Sequence, residues 1–598
     1  MDSKQSHAAL LPHATAGAPS KGNQPWRRRF LAAAAAMMLL NTCYRGYELA
    51  TGVSPFQAGS ASDASSPQPP RCPAQEVIAP TTRPDITAHN VDSLFKSAEF
   101  RNLSVSRLAG AVQIPTQDFE DMGRLGEDPR WDTFYDLQKY FAQTFPLLHK
   151  SLQLDVINEH NLVYTWRGKN ETLKPVLLMS HLDTVPVADD TLAEWRFPPF
   201  SGHFDGTYIY GRGSHDCKNN VLGILSAVTA LLTQDFVPER TFILAFGYDE
   251  ESGKFKYGAA KVADHLRETY GVSSDGKDGD TFAIILDEGG IGINKQFGRA
   301  LATPQSSEKG YLDVLLDVHI KGGHSSIPPK HSSIGLLALA VSRLEAEAAT
   351  NFPLQLSTEN PLYTLLQCAA EDNATVDMPP ALRSALRESN VDLDRVVSLL
   401  ADSPTASSLL HTTQAVTIFH AGNKANALPA YANALVNYRV SSLEDLASVQ
   451  SKLIATLEPL AKELGLTFYH GVQDEEDDFL PENSLRLSWR RTQLEPSPVS
   501  TTSSSSWTYF SGVIKHVFDE PGAGNDVLVT PAYAGGNTDT KYFWDLSSQI
   551  YRFGPLRAWH DEGWGGVHDV NERIALDAHL EAILFYHEFI RVFDEAEL

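Results

Sequence analysis

PVLLMSHLD (175–183) and RTFILAFGYDEE (240–251) are apolar runs that end abruptly in imidazole and acid, and NNVLGILSAVTALLTQ (219–234) lies between them. Short continuous apolar runs bounded by polar clusters read as strands buried on both faces, and the longer intervening stretch reads as a helix. KYGAAKVADHLRETY (256–270) and TFAIIL (281–286) add a further helix and strand. From about Ile86 the alternation therefore predicts an α/β domain built on βαβ units.

After Lys309 the pattern changes. YLDVLLDVHIKG (311–322) alternates with period two, SSIGLLALAVSRLEAEA (332–348) is helical, and AVTIFHA (415–421) and ALVNYRV (434–440) are strand-like. DLASVQSKLIATLEPLAKEL (445–464) is helical and LTFYHGV (466–472) is a last strand. The order βαββαβ predicts a ferredoxin-like unit, interrupted by an insertion at about 350–414 with helical patterns of its own. QDEEDDFLPEN (473–483) and EPSPVSTTSSSSW (495–507) read as surface linker, and the helical patterns 507–518 and 575–593 are expected to return to the first domain.

At 598 residues the chain exceeds one ordinary domain, and 42% hydrophobic residues supply sizeable cores. The net charge of −25 repels phosphate backbones and argues against nucleic acid as a partner. Four cysteines, Cys43, Cys72, Cys217 and Cys368, are too few for a disulfide framework and form no CxxC pair, so a metal site would have to use His and carboxylates.

Arg27, Arg28 and Arg29 precede FLAAAAAMMLLNTCY (30–44), which spans about 22 Å as a helix, less than the roughly 30 Å hydrocarbon core. We expect an uncleaved signal anchor, with a cleaved signal peptide as the alternative. The expected organisation is a cytosolic tail (1–29), the anchor (30–44), a Ser/Pro/Ala stalk (45–85), a first domain part (86–308), the smaller domain (309–475), and a linker with the second domain part (476–598). Basic residues ahead of the anchor imply a type II, single-pass orientation with a lumenal body. The sequons at Asn102, Asn170 and Asn373 fit that placement.

The polar clusters fall at strand ends: His181 and Asp183, then Asp249, Glu250 and Glu251, then Asp287 and Glu288. Ligands bind outside the carboxyl ends of strands in open α/β sheets, so these groups should converge. GRGSHDCK (211–218) adds Asp216 just before the helix, and GGVHDVNE (565–572) adds His568. Two imidazoles (His181, His568) and three carboxylates (Asp216, Glu251, Asp287) suit two zinc ions about 3.5–4 Å apart, and Glu250 is left as a base. Cys217 reads as a space-filling neutral thiol.

The segments SHLDTVPV, GRGSHDCKNN, YDEESG, LDEGG, KGGHSSIPP, AGNKANALP, GGNTDTKYF and GVHDVNE occur in that order, and the series resembles that of the M20 metallopeptidases, in particular their vacuolar carboxypeptidase S group. The resemblance implies a zinc-peptidase catalytic domain with a mixed central sheet, interrupted by a ferredoxin-like lid. It implies that His181 and Asp287 bind one zinc, Glu251 and His568 the other, and that Asp216 bridges them. Asp183 would orient His181, and Glu250 would be the general base. His324 would steady the oxyanion, Asn426 would contact substrate, and Gly535 and Gly536 would allow close approach or form a turn. Lys541 stands where the family often has Arg to grip a terminal carboxylate, exchanging a bidentate fork for a point charge. Expected partners are peptides or N-acyl amino acids with a free carboxylate, and a second copy through the lid. A vacuolar compartment is expected, with secretion as the rival.

Overall fold

The computed structural model describes residues 72–598 except 74, 84, 87–93, 253–255, 273–279, 291, 474–478, 521–525 and 561–564. The expected tail, the anchor and most of the stalk lie outside the described residues, among which no helix is long and apolar enough to cross a membrane.

The chain first forms β1 (Gln153–Ile157), β2 (Asn161–Trp166), β3 (Val176–His181), β4 (Phe242–Gly247), β5 (Ile284–Asp287) and β6 (Gln305–Glu308). It then forms β7 (Gly310–His319), β8 (Thr413–Ala421), β9 (Tyr431–Val440), β10 (Thr467–Val472) and β11 (Ser484–Trp489), and returns with β12 (Ala532–Ala534) and β13 (Ile550–Arg552). The main sheet has the order β1-β2-β4-β3-β5-β13-β6-β12. It is mixed: β3 runs parallel to β4 and β5, whereas β2 is antiparallel to β4. His181 pairs with Gly247 across β3 and β4, so the carboxyl ends of these strands lie level.

Strand β3 is buried along its whole length because both faces of the sheet are covered. Val176 and Leu178 enter one core with α1 (Ala98–Val112), α2 (Lys218–Thr233) and the C-terminal helix Leu576–Glu595. Leu177 and Met179 point to the opposite core with α3 (Ala259–Tyr270), as a period of two requires. Helix α2 is buried almost all round, which explains why its sequence lacks a polar face.

The second sheet has the order β8-β9-β7-β11-β10. Strand β9 is antiparallel to both β8 and β7, and β11 is inserted between β7 and β10. The sequence reading ended this domain at residue 475 and named no element between its two linker stretches; the alternating SLRLSW of β11 instead extends the domain past that point. Helices α4 (Ser333–Asn351) and α9 (Leu446–Glu463) pack on the sheet through Leu337, Leu344, Val449 and Leu453. Between α4 and β8 the insertion forms α5 (Pro361–Glu371), α6 (Pro380–Leu386), α7 (Leu393–Leu400) and α8 (Pro404–Leu409).

The helices of the insertion pack on the larger domain rather than only on the one that emits them. The insertion's core of Leu365, Leu366, Leu382 and Leu386 is completed by Leu301 and Leu528 of the larger domain. Arg299 pairs with Asp372 at 2.9 Å, and a disulfide joins Cys72 to Cys368 across 296 residues of sequence. The sequence reading named no cysteine pair, because a single long-range pair has no spacing signature. The bond corrects the end of the stalk. The stretch from Cys72 lies along the body: the Ile78 N–H donates to Gly512 O at 3.1 Å, and Gln75 exchanges hydrogen bonds with Val529.

Candidate active site

His181 ends β3 and is almost fully buried. Its Nδ1 lies 3.1 Å from the Asp183 carbonyl oxygen and 3.3 Å from Asp183 Oδ1. With a cation at Nε2, the two acceptors on the other side would hold the ring proton on Nδ1. Asp183 is itself buried, and its Oδ2 accepts the Glu251 N–H at 2.9 Å. One carboxylate thus sets both the His181 ring and the turn after β4.

Asp216 precedes α2. Its Oδ1 is 3.1 Å from His181 Nε2 and its Oδ2 is 3.2 Å from His568 Nε2. Glu251 carboxylate oxygens approach His568 Nε2 to 3.3 Å. Donor atoms of His181, Glu250 and Glu251 lie within 4.8 Å of one another, as do those of Asp216, Glu251 and His568. His568 is half-exposed and sits at φ 60°, a left-handed conformation that costs a non-glycine residue energy and recurs at functional sites.

The acidic triplet divides by role. Asp249 accepts the Tyr257 N–H at 2.7 Å and folds the following loop back. A Cβ at Gly258 would lie 2.1 Å from Asp249 Oδ1, so only glycine fits there. Glu250 and Glu251 are left to face the cluster.

Two residues correct or extend the sequence reading. Asp287 is buried at the end of β5, its Oδ1 accepts the Glu288 N–H at 2.9 Å and its Oδ2 has no hydrogen-bond partner; neither Asp287 nor Glu288 joins the donor groups within 4.8 Å. The charges acting on Asp287 come from Arg552 and Glu308 before His181, whereas those on Glu288 come from Asp287, His181, Asp216 and Glu251. Glu288, which the sequence reading placed at the strand end without a role, therefore stands beside Asp287 as a candidate donor. The buried Glu572 accepts the N–H groups of His215 and Asp216 at 3.0 and 3.1 Å and pairs with Arg212 at 2.6 Å. It fixes the turn that carries Asp216, and its position four residues after His568 was the available signal.

Burial, with mutual repulsion, raises the proton affinity of Glu250, Glu251 and Glu288, and burial pushes Asp287 up to about 6. Hydrogen bonds to Asp216 and Glu251 raise His568 to about 10. Such crowding of acids is what bound cations relieve. The donor set of two imidazoles and several carboxylates suits zinc. Cys217 also lies within 4.8 Å of His181 and Asp216, but burial raises its thiol to about 12, and it sits 2.7 Å from Ser180 Oγ.

Lys541 lies near Glu250, Asp249 and Asp539, with its ammonium 5.1 Å above the Tyr542 ring. It also lines a cavity of about 520 Å³ shared with Lys256, α3 and Trp544. Gly535 and Gly536 lack positive φ, so no turn demands glycine at either. A Cβ on Gly536 would meet open space. His324 and Asn426 are not gathered into the cluster. They sit on a short exposed hairpin of the smaller domain, where His324 pairs with Ala427 and the Ser325 N–H donates to Asn426 O at 3.2 Å.

The model of peptidase family M20/M25/M40 matches residues 177–592. Carboxypeptidase S of Saccharomyces cerevisiae is 35% identical over 593 residues, covering 96% of this chain and 97% of the yeast protein. N-fatty-acyl-amino acid synthase/hydrolase PM20D1 of Mus musculus is 31% identical over 519 residues, covering 86% of this chain and 92% of the mouse protein. Among solved structures, an M20 family metallo-carboxypeptidase from Sulfolobus solfataricus superimposes with TM-score 0.56 at 18% identity, covering 82% of this chain and 99% of the other. Human carnosine dipeptidase 1 does so with TM-score 0.56 at 14% identity, covering 84% and 98%. Both structural matches report a shared fold.

Proposed function

The chain belongs to peptidase family M20/M25/M40, and from that premise we propose that it is a two-zinc carboxypeptidase hydrolysing the C-terminal amide bond of short peptides. The Asp216 carboxylate carries the reading, because its two oxygens face two different imidazoles at 3.1 and 3.2 Å. That is the disposition of a carboxylate shared by two cations. His181, Asp216 and Glu288 would hold one ion, and His568, Asp216 and Glu251 the other. When bound, the ions polarise the scissile carbonyl and acidify a water.

Glu250 takes the proton of the attacking water on its carboxylate and returns it to the leaving amine. Asp183 keeps the His181 ring in register. The Lys541 ammonium receives the substrate's free carboxylate, and Gly535 and Gly536 leave room for the chain beside it. The smaller domain acts as a lid, bringing His324 to the developing oxyanion and Asn426 to the substrate. Hydrolysis of N-acyl amino acids is a second reading, favoured by similarity to the protein named N-fatty-acyl-amino acid synthase/hydrolase. Both substrate classes present an amide near a free carboxylate.

We place the body on the lumenal face of a vacuolar membrane. The Cys72–Cys368 bond supports an oxidising compartment. Asn170, exposed with the Thr172 hydroxyl on its Oδ1 at 2.7 Å, is the best-presented sequon.

The test is Glu250→Gln with zinc analysis, assayed on dipeptides beside N-acyl amino acids. Zinc should be retained while kcat falls by about 10²–10⁴-fold. Undiminished activity would remove Glu250 from the mechanism, and faster turnover of the acyl series would make the second reading the first.

A further inference from the structure

Three observations meet at Gly535 and Gly536. The first is the course of the insertion: α5–α8 leave the smaller domain, yet their core also takes in Ala532 of β12, the strand that leads directly into Gly535. The second is the space around the two glycines. Neither has a backbone that requires glycine, a Cβ at Gly536 would meet nothing, and a Cβ at Gly535 would meet Leu409 Cδ2 at 4.0 Å. Leu409 is the last residue of α8 and only partly buried.

The third is Lys309, buried at the junction between β6 and β7. Its Nζ donates to Ser408 O and His411 O, both at 2.7 Å, holding carbonyls at the end of α8. Its own N–H donates to Ala534 O at 3.0 Å, and its carbonyl accepts from Asn537 Nδ2 at 2.5 Å. One residue therefore ties the tip of the insertion to the chain on both sides of Gly535 and Gly536.

We propose that the insertion supplies one wall of the substrate cleft, with Leu409 facing the open ground at Gly535 and Gly536 and limiting the size of an apolar substrate group, and that Lys309 is the positioning residue that holds this wall in place. The proposal rests on the reading that the Gly535–Lys541 loop borders the substrate. An apolar group is the class selected, because the one side chain within 4.0 Å of a Cβ at Gly535 is the apolar Leu409. A gap or excess of a few methylenes in such a wall changes relative kcat/KM by about 10–200-fold.

The experiment uses the full-length zinc-loaded protein with Leu409→Ala, Leu409→Trp and Lys309→Met. Two graded dipeptide series, Xaa-Gly and Gly-Xaa, vary the apolar side chain from Ala to Phe on either side of the scissile bond. In one series Leu409→Ala should raise the Phe:Ala ratio of kcat/KM about tenfold, and Leu409→Trp should lower it comparably, with zinc content unchanged. Lys309→Met should shift the Phe:Ala ratio in the same direction as Leu409→Ala, by about fivefold and through KM, with zinc content and kcat on the smallest substrate unchanged. Ratios within twofold of wild type for both Leu409 variants, in both series, would overturn the wall, whatever Lys309→Met does. If Glu250→Gln is inactive in the same assays, that failure belongs to the wall alone; an active Glu250→Gln locates the failure in the reading of the site.

Discussion

Asp183→Asn tests whether one carboxylate sets the geometry of His181. In the wild type, Asp183 Oδ1 lies 3.3 Å from His181 Nδ1, and Oδ2 accepts the Glu251 N–H at 2.9 Å. With a cation at His181 Nε2, both partners present N–H groups to a side chain that only accepts. An amide has one acceptor and one donor. With its oxygen toward Glu251, its NH₂ opposes the Nδ1 proton; reversed, its NH₂ opposes the Glu251 N–H. Each arrangement sets a buried donor against a donor, which costs about 1–3 kcal/mol. Moving the ring proton to Nε2 would relieve the first conflict at the expense of the lone pair that the cation takes.

The Asp183 carbonyl, 3.1 Å from Nδ1, still accepts and keeps part of the population in the original tautomer. The expected loss is therefore the 10–100-fold in metal affinity typical of such supporting partners, or about 1.4–2.7 kcal/mol, rather than complete loss. Zinc titration in a chelator-buffered series, followed by kcat at saturating zinc, measures it. Wild-type zinc affinity together with wild-type kcat in Asp183→Asn would refute the argument.

Two further outcomes are expected. Glu288→Gln should remove one of the two zinc ions we propose, measured by elemental analysis, while Asp287→Asn should keep both; the reverse pattern would return Asp287 to the ligand set. Burial pushes His579 down to about 3 and His160 down to about 4, so both are neutral when folded and take up protons on unfolding once the pH falls below about 6.5. The unfolded state then binds more protons, and stability should fall between pH 6.5 and 5 by about 2 kcal/mol for each group. Urea denaturation at both pH values reads this, and a His579→Asn protein with the same loss would count against it.

What could be read from sequence divides along physical lines. His181, Asp216 and Glu251 were legible because a strand's end and a helix's start fix which way the next residues project. Asp287 and Glu288 were not separable, because neighbours at a strand end face opposite sides and the choice depends on where the strand stops. Glu572 was hidden because its role is to accept two backbone N–H groups, which leaves no mark in spacing. β11 was lost between acidic and Ser-rich flanks although its SLRLSW alternates. The docking of the insertion was illegible for a different reason: Leu365 and Leu366 announce a core, but nothing in them says that Leu301 and Leu528 complete it.

The Cys72–Cys368 bond makes residues 72–368 a closed covalent circuit. Every proposed metal donor except His568 lies on it, along with Glu250 and Lys309. A single backbone cut inside the circuit opens it without dividing the molecule, and the severed ends stay joined through sulfur. Where proteases and the enzyme share a compartment, damage to surface loops of the catalytic half would appear as fragments only after reduction, and a nicked chain could retain its donors in place.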